Sequence, residues 1–178
     1  MHYLKNYYNK TLKYELINKF YYSKLNKLPK IKKIILSFNC RTNEIKSISS
    51  SLLALEMLSF QKGVLTKAKK TNLSIRIRKG SPIGCKLNLT KKSFLQFLTK
   101  SSLEIFPNTK NFKELPIKQN KSSFSYKLKN LFNSSNLEDH YSLFNNLSDL
   151  NINLITDNNK TKELLFIIQA LKIPINLN

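Results

Sequence analysis

A chain of 178 residues in which 31 lysines and arginines face 10 acidic residues carries a formal net charge of +21. This exceeds what solubility needs, and a compact body so charged repels itself unless a polyanion meets it. A hydrophobic content of 41% provides for a core, while a mean hydropathy of -0.34 and the lack of a long uncharged apolar run exclude a membrane span. The length suits one domain, which buries roughly 70% of the surface its unfolded chain exposes. Lysines occupy every segment and not one face of an amphipathic helix, which favours nucleic acid over an anionic membrane surface. A solvated lysine coat is the plainer alternative.

In chain order, Leu4, Tyr8, Leu12, Leu16 and Phe20 recur every fourth residue, with Lys5, Lys13 and Lys19 elsewhere, and predict a docking helix. Met1 to Phe20 is basic and amphipathic but has neither arginine nor a small-residue cleavage site, so it reads as part of the mature protein. After Pro29, Ile34, Leu36 and Phe38 alternate as a strand. Ile45, Ile48, Leu52 and Leu55 mark a helix, with Gly63 just beyond it. Val64 to Lys69 and Leu73 to Arg78 read as a strand pair or long hairpin arm, and Cys85 to Thr90 as a further strand with Leu87 and Leu89 inward.

Lys91 to Phe106 predicts a well-buried helix bearing Phe94, Leu95, Phe97, Leu98 and Leu103, ended by Pro107. Asn108 to Lys121 is polar and loop-like. Phe124, Tyr126 and Leu128 alternate as a strand, Leu137 to Leu147 suggests a short helix, Leu150, Ile152 and Leu154 a last strand, and Thr161 to Leu171 a last helix before Pro174. The order predicts an α+β fold, a single domain with a mostly antiparallel sheet backed by helices and a long basic hairpin loop. The exposed sheet face or loop edge would then be free for RNA.

The densest chemistry lies in TKAKKTNLSIRIRKGSPIGCKLNLT, Thr66 to Thr90. Leu73, Ile75 and Ile77 alternate with Ser74, Arg76 and Arg78, so a strand here would present guanidinium forks on one face. Arg76 and Arg78 are two of only three arginines, and Gly80 and Gly84 two of only three glycines. Glycines kept under such a bias suggest a backbone that needs positive φ or close approach. The arginines could equally form a solvated strand face, and the glycines plain hairpin punctuation. Tyr3, Tyr7, Tyr8, Tyr14, Tyr21 and Tyr22 could stack on bases; Tyr8 reads as packing and the others stay open.

Catalytic equipment is missing. His2 and His140 are isolated, the latter beside Glu138 and Asp139, with no Ser/His/Asp set, second acidic cluster or phosphate loop. Cys40 and Cys85 lack partners at ligand spacing, so they read as buried or half-buried thiols and not as a zinc site or disulfide framework. No enzyme, cofactor or metal is expected; the alternative is a free-standing RNA chaperone or nuclease. The surplus of Lys, Asn and Ile points to an AT-rich genome, in an organelle or a reduced bacterium.

The Thr66 to Thr90 stretch resembles the signature of the large-subunit ribosomal protein five family, proteins of the central protuberance. PKIKKIILSF (Pro29 to Phe38), SFQKG (Ser59 to Gly63), KNFKELP (Lys110 to Pro116) and LNINLIT (Leu150 to Thr156) follow in the family's order. The resemblance is strongest over 29–115 and weak over 117–149, where LEDHYSLFNNL is more similar to mitochondrial members. It divides the domain into an N-terminal helix and linker (1–28), an RNA-binding core (29–115) and C-terminal strands and helix (116–178).

The family implies an architectural role in the large subunit, without catalysis. Its implied partners are the large rRNA, 5S rRNA where the ribosome has one, P-site tRNA, a small-subunit head protein across an intersubunit bridge, and neighbouring central-protuberance proteins. Carried over, the tRNA-facing loop is Lys69, Lys70, Thr71, Asn72, Leu73, Ser74, Arg76 and Arg78, its base shaped by Gly80, Pro82 and Gly84. The rRNA-binding positions are Lys33, Ser37, Gln61, Lys62, Lys86 and Asn88. Ser37 stands where the family usually has asparagine and Asn88 where it has threonine; both can still hydrogen-bond RNA. The expected location is the mitochondrial matrix, in an organelle-encoded mitoribosomal protein, with a plastid or an AT-rich bacterium as alternatives.

Overall fold

The structure, a computed structural model, describes residues 3–40, 44–74, 76–107, 117–119, 122–129, 131, 135–144, 147–157, 160–171 and 173. It is an α+β fold. Helices α1 (Tyr3–Tyr7) and α2 (Lys13–Lys19) are joined by a π-turn over Tyr8–Leu12. There follow β1 (Ile31–Asn39), α3 (Ile45–Ser59), β2 (Val64–Lys67), β3 (Pro82–Leu89) and α4 (Lys91–Lys100) with a second π-turn, Ser101–Ile105. The chain continues through β4 (Ile117–Gln119), β5 (Ser123–Leu128), α5 (Ser135–Glu138), α6 (Tyr141–Phe144), β6 (Leu150–Thr156) and α7 (Thr161–Ala170). The strands are hydrogen-bonded in the order β2-β3-β1-β6-β5-β4. β2/β3 and β4/β5 pair antiparallel. At the other junctions the start of one strand bonds to the end of its neighbour, as in Cys40 N to Ile83 O, Asp157 N to Lys30 O and Thr156 N to Ser122 O, which is again the antiparallel sense.

Contacts gather into two compact units, one of Met1–Ile34, Thr90–Tyr126 and Asn153–Asn178, the other of Ile35–Leu89 and Lys127–Ile152. In the first, Leu12 and Leu16 are fully buried, whereas Leu4, Tyr8 and Phe20 are half-buried. A strict four-residue spacing drifts about 40° per step around an α-helix of 3.6 residues per turn. The wider π-turn over Tyr8–Leu12 takes up part of that drift and keeps the stripe inward. Tyr8 packs as expected, its hydroxyl donating to the Pro29 carbonyl at 2.9 Å. Phe20 meets Phe166 of α7 edge-on at 5.9 Å, and Tyr126 lies between Phe106 (6.0 Å) and Phe124 (5.7 Å). Leu103 departs from expectation. It is 77% exposed, because the π-turn at 101–105 leaves Ser101, Ile105 and Phe106 to face the core. The polar stretch 108–121 also differs: Ile117–Gln119 is a strand, which three residues are too few to announce by period.

In the second unit α3 packs on β3 and buries Ile48, Ser51, Ala54, Leu55 and Leu58. Ile45, expected on that face, is exposed in the first turn. The helix ends on Phe60 in the left-handed region (φ 55), its N–H bonded to the Glu56 carbonyl at 2.7 Å, while the Glu56 carboxylate accepts from Gly63 N–H at 2.9 Å. The Ser51 hydroxyl stands between the two thiols, 3.3 Å from Cys40 Sγ and 3.8 Å from Cys85 Sγ. Burial pushes the Cys85 thiol up to about 11, so it stays protonated and unreactive at neutral pH. Brief iodoacetamide treatment of the folded chain at pH 8 is expected to modify half-buried Cys40 and spare Cys85. Intact-mass analysis checks this, and double modification without unfolding would refute it.

Gly84 is required by close approach. A Cβ there would fall against the Phe38 carbonyl oxygen and 3.3 Å from Thr66 Oγ1. Gly84→Val is therefore expected to destabilise the fold by about 1–3 kcal/mol. Gly63→Ala, whose methyl meets the mobile end of Leu52, costs less; urea unfolding of the two variants gives the comparison.

Candidate nucleic-acid interface

β2 and β3 are paired from Val64↔Lys86 to Lys67↔Pro82, with a register shift between Thr66 and Lys67. Pro82 opens β3, where its missing N–H is tolerated, and Gly84 lies inside the strand rather than in the turn. Between the strands, residues 68–81 hold five cations, Lys69, Lys70, Arg76, Arg78 and Lys79, and no carboxylate. The loop base is tied by Ala68 N to Ser81 O (2.8 Å) and Gly80 N to Ala68 O (2.9 Å). Gly80 has φ +89 with open space around it, so its requirement is conformational.

The expected strand over Leu73 to Arg78 does not form. Asn72 and Ile77 instead make one isolated bridge, with N–H to carbonyl bonds of 2.8 and 2.9 Å, and Arg76 N bonds to Leu73 O at 3.1 Å. Leu73 is 91% exposed. Alternation yields a strand when one face has something to bury against; an isolated two-stranded tip has no such surface and closes as a turn. Ile75 lies outside the described residues. Arg76 and Arg78 therefore do not share a strand face, yet both are exposed, as are Lys69, Lys70, Thr71, Asn72 and Ser74. Arg76 sits at φ +52, a conformation that costs a non-glycine residue roughly 1 kcal/mol or more. Side-chain bonds brace the loop: Ser74 Oγ donates to Asn72 Oδ1 and Ser81 Oγ to the Arg78 carbonyl, each at 2.6 Å.

The second unit also presents a polar sheet face. Leu36 and Phe38 of β1 and Cys85, Leu87 and Leu89 of β3 point into the core, so Ser37, Lys86 and Asn88 point the other way. Lys86 and Asn88 are exposed and Ser37 half-buried. Gln61 and Lys62 are exposed in the α3–β2 connection. Lys33, in the first unit, is half-buried on the side of β1 opposite Ile34. His140 is exposed beside exposed Glu138 and Asp139. Among the described residues no three metal-ligating side chains gather, and no helix is long and apolar enough to cross a membrane. Sequence reasoning missed the left-handed Phe60 cap, which departs from the usual glycine, and the conformation of Arg76; no local residue pattern announces either.

Comparison with known proteins places these features in a family. The chain is 32% identical over 99% of its length, and 99% of the relative's, to large ribosomal subunit protein uL5m of Reclinomonas americana. It is 30% identical to large ribosomal subunit protein uL5 of Blochmanniella floridana over 98% of this chain and 93% of that one. With uL5 of Ehrlichia ruminantium the values are 32%, 91% and 94%. No family model matches the chain. The chain belongs to the uL5 family. Each of these relatives is named as a protein of the large ribosomal subunit and none as an enzyme.

The hairpin of this uL5-family chain separates strain from charge at one residue. Arg76→Gly is expected to leave stability unchanged or raise it by up to about 1 kcal/mol, by relieving the left-handed backbone, while weakening RNA binding. Arg78→Ala, from an ordinary backbone, is expected to weaken binding with stability held within about 0.5 kcal/mol. Thermal midpoints and RNA affinities measured side by side check both; a collapsed fold in either variant would make the arginines structural.

Proposed function

We propose that this chain is a structural component of the large ribosomal subunit, holding rRNA in the central protuberance. The observation that carries the reading is the hairpin, whose backbone is hydrogen-bonded at base and tip while five cations without an acidic neighbour stand on it. Such an array suits phosphates: the arginines offer bidentate forks and the lysines point charges. Lys86, Asn88 and Ser37 on the polar sheet face, with Gln61 and Lys62 nearby in the chain and Lys33 on β1, serve as rRNA contacts, including 5S rRNA where the ribosome has one. The hairpin residues Lys69 to Arg78 reach toward P-site tRNA, and another edge meets a small-subunit head protein. Gly80, Pro82 and Gly84 set the direction of that reach. The uL5m relative and the Asn- and Lys-rich composition support a mitochondrial ribosome. No cofactor takes part.

Fractionated ribosomes test the reading: the chain is expected in large subunits and in assembled ribosomes. Stable residence on small subunits alone would overturn it. For the free protein, log K for rRNA is expected to fall against log salt by about 0.7 to 0.9 for each phosphate neutralised. A total slope of about one or less would contradict an extended phosphate-binding surface.

A further inference from the structure

The linker between α2 and β1 builds a cavity distant in sequence from the hairpin. Leaving Phe20, the chain passes a 3-10 turn at Leu25–Lys27 and is pinned by buried Leu28 and Pro29. With Asp157 and Lys160, from the end of β6 and the start of α7, it lines a half-open cavity of about 570 Å³, a volume typical of small-ligand sites. The whole lining belongs to the first unit.

Its two tyrosines are in opposite situations. The Tyr22 hydroxyl is buried beside Glu163; burial first, and then that carboxylate, push its pKa up. The Lys160 ammonium lies 6.0 Å from the centre of the same ring, so Tyr22 forms a fixed wall. Tyr21 is 92% exposed and its ring gains nothing from folding. An aromatic face left wet at a cavity mouth is suited to stacking.

The charges around the cavity leave one sign over. Asp157 is matched by Lys32 at 3.2 Å, and Glu163, itself 1% exposed, by Lys160 at 3.0 Å. Lys27, at the cavity wall, donates to Ser23 Oγ at 3.1 Å and has no carboxylate partner among the described residues. Asn26 beside it offers an amide that can both donate and accept. An exposed ring, an ammonium without a carboxylate partner and a bifunctional amide are the groups that bind a base, a phosphate and a base edge or 2′-hydroxyl. A compact cavity of this size holds one nucleotide and not a helix or strand of a protein.

We propose that this cavity receives a single unstacked nucleotide of RNA, its base on Tyr21, its phosphate at Lys27, and its polar edge at Asn26 and Ser23. The class of ligand rests on the ribosomal reading above; the position of the site does not involve the hairpin. It gives the protein a second, stacking hold on RNA that is less sensitive to salt than the cationic loop.

The test uses the full chain and a short single-stranded RNA carrying 4-thiouridine. Photo-crosslinked peptides are expected to map to 20–28. Tyr21→Ala is expected to lower affinity at least about fivefold, Tyr21→Phe to retain it, and Lys27→Gln to flatten the salt slope by about 0.7. Tyr14→Ala, removing an exposed ring from α2, leaves affinity unchanged. The double variant Arg76→Ala, Arg78→Ala loses overall affinity but keeps the 20–28 adducts, which separates the two readings. Wild-type binding by Tyr21→Ala, or adducts confined to other segments, would overturn the cavity proposal and leave the ribosomal reading standing. Uridine monophosphate bound as tightly as the oligonucleotide would point to a free metabolite and also overturn it. Absence of RNA binding by the wild-type chain would overturn both.

Discussion

One-sided burial of the sheet governs the arrangement of everything around it. Ile34, Leu36 and Phe38 on β1, Leu87 and Leu89 on β3, Phe124, Tyr126 and Leu128 on β5 and Ile152 and Leu154 on β6 all turn inward. Full burial of such a side chain contributes roughly 1.5–3 kcal/mol, and a register slip of one residue would send a whole strand's set outward. The alternation thus opposes both unfolding and slippage in a chain whose +21 charge favours expansion. It also leaves Ser37, Lys86 and Asn88 on the polar side without any separate device to aim them.

What the chain spells out and what it withholds follow from the same physics. The strands β1, β5 and β6 and the helices α3, α4 and α7 were legible because each is amphipathic at its own period. The identical alternation at Leu73, Ile75 and Ile77 misled, since periodicity records a capacity to bury one face and not the presence of a surface to bury it on. β4 is three residues long, below the length at which a period can be counted. The π-turns were hidden for a different reason: a four-residue spacing implies under-winding, but it does not say where the wider turn falls. Of the candidate interface, the cation-rich hairpin was readable from residue types alone. The cavity at Tyr21 was not, because residues near position 25 meet others near 160 only through the fold.

Lysine and arginine divide the electrostatic work. Lysine supplies the bulk charge on flexible stems, while arginine is rare and two of its three positions fall in the hairpin. There one of them occupies a backbone conformation unfavourable to a side chain. Glycine would be comfortable there, so the guanidinium is carried at a cost in backbone strain. The bracing bonds of Ser74 and Ser81 keep the loop compact, so less ordering remains to be done when a polyanion arrives.

The edge of the sheet bears on how two copies of the chain can meet. β2 is an outermost strand with Val64 and Leu65 exposed, an open template on which another copy could add a strand. Only four residues long, it is interrupted by an irregular register at Thr66/Lys67 and ends in a lysine. Its shortness and broken register, and not its single charge, are what limit a stacked ladder of copies. A second copy meeting the chain at this edge therefore finds only one short stretch of strand to pair with, and a lysine at its end.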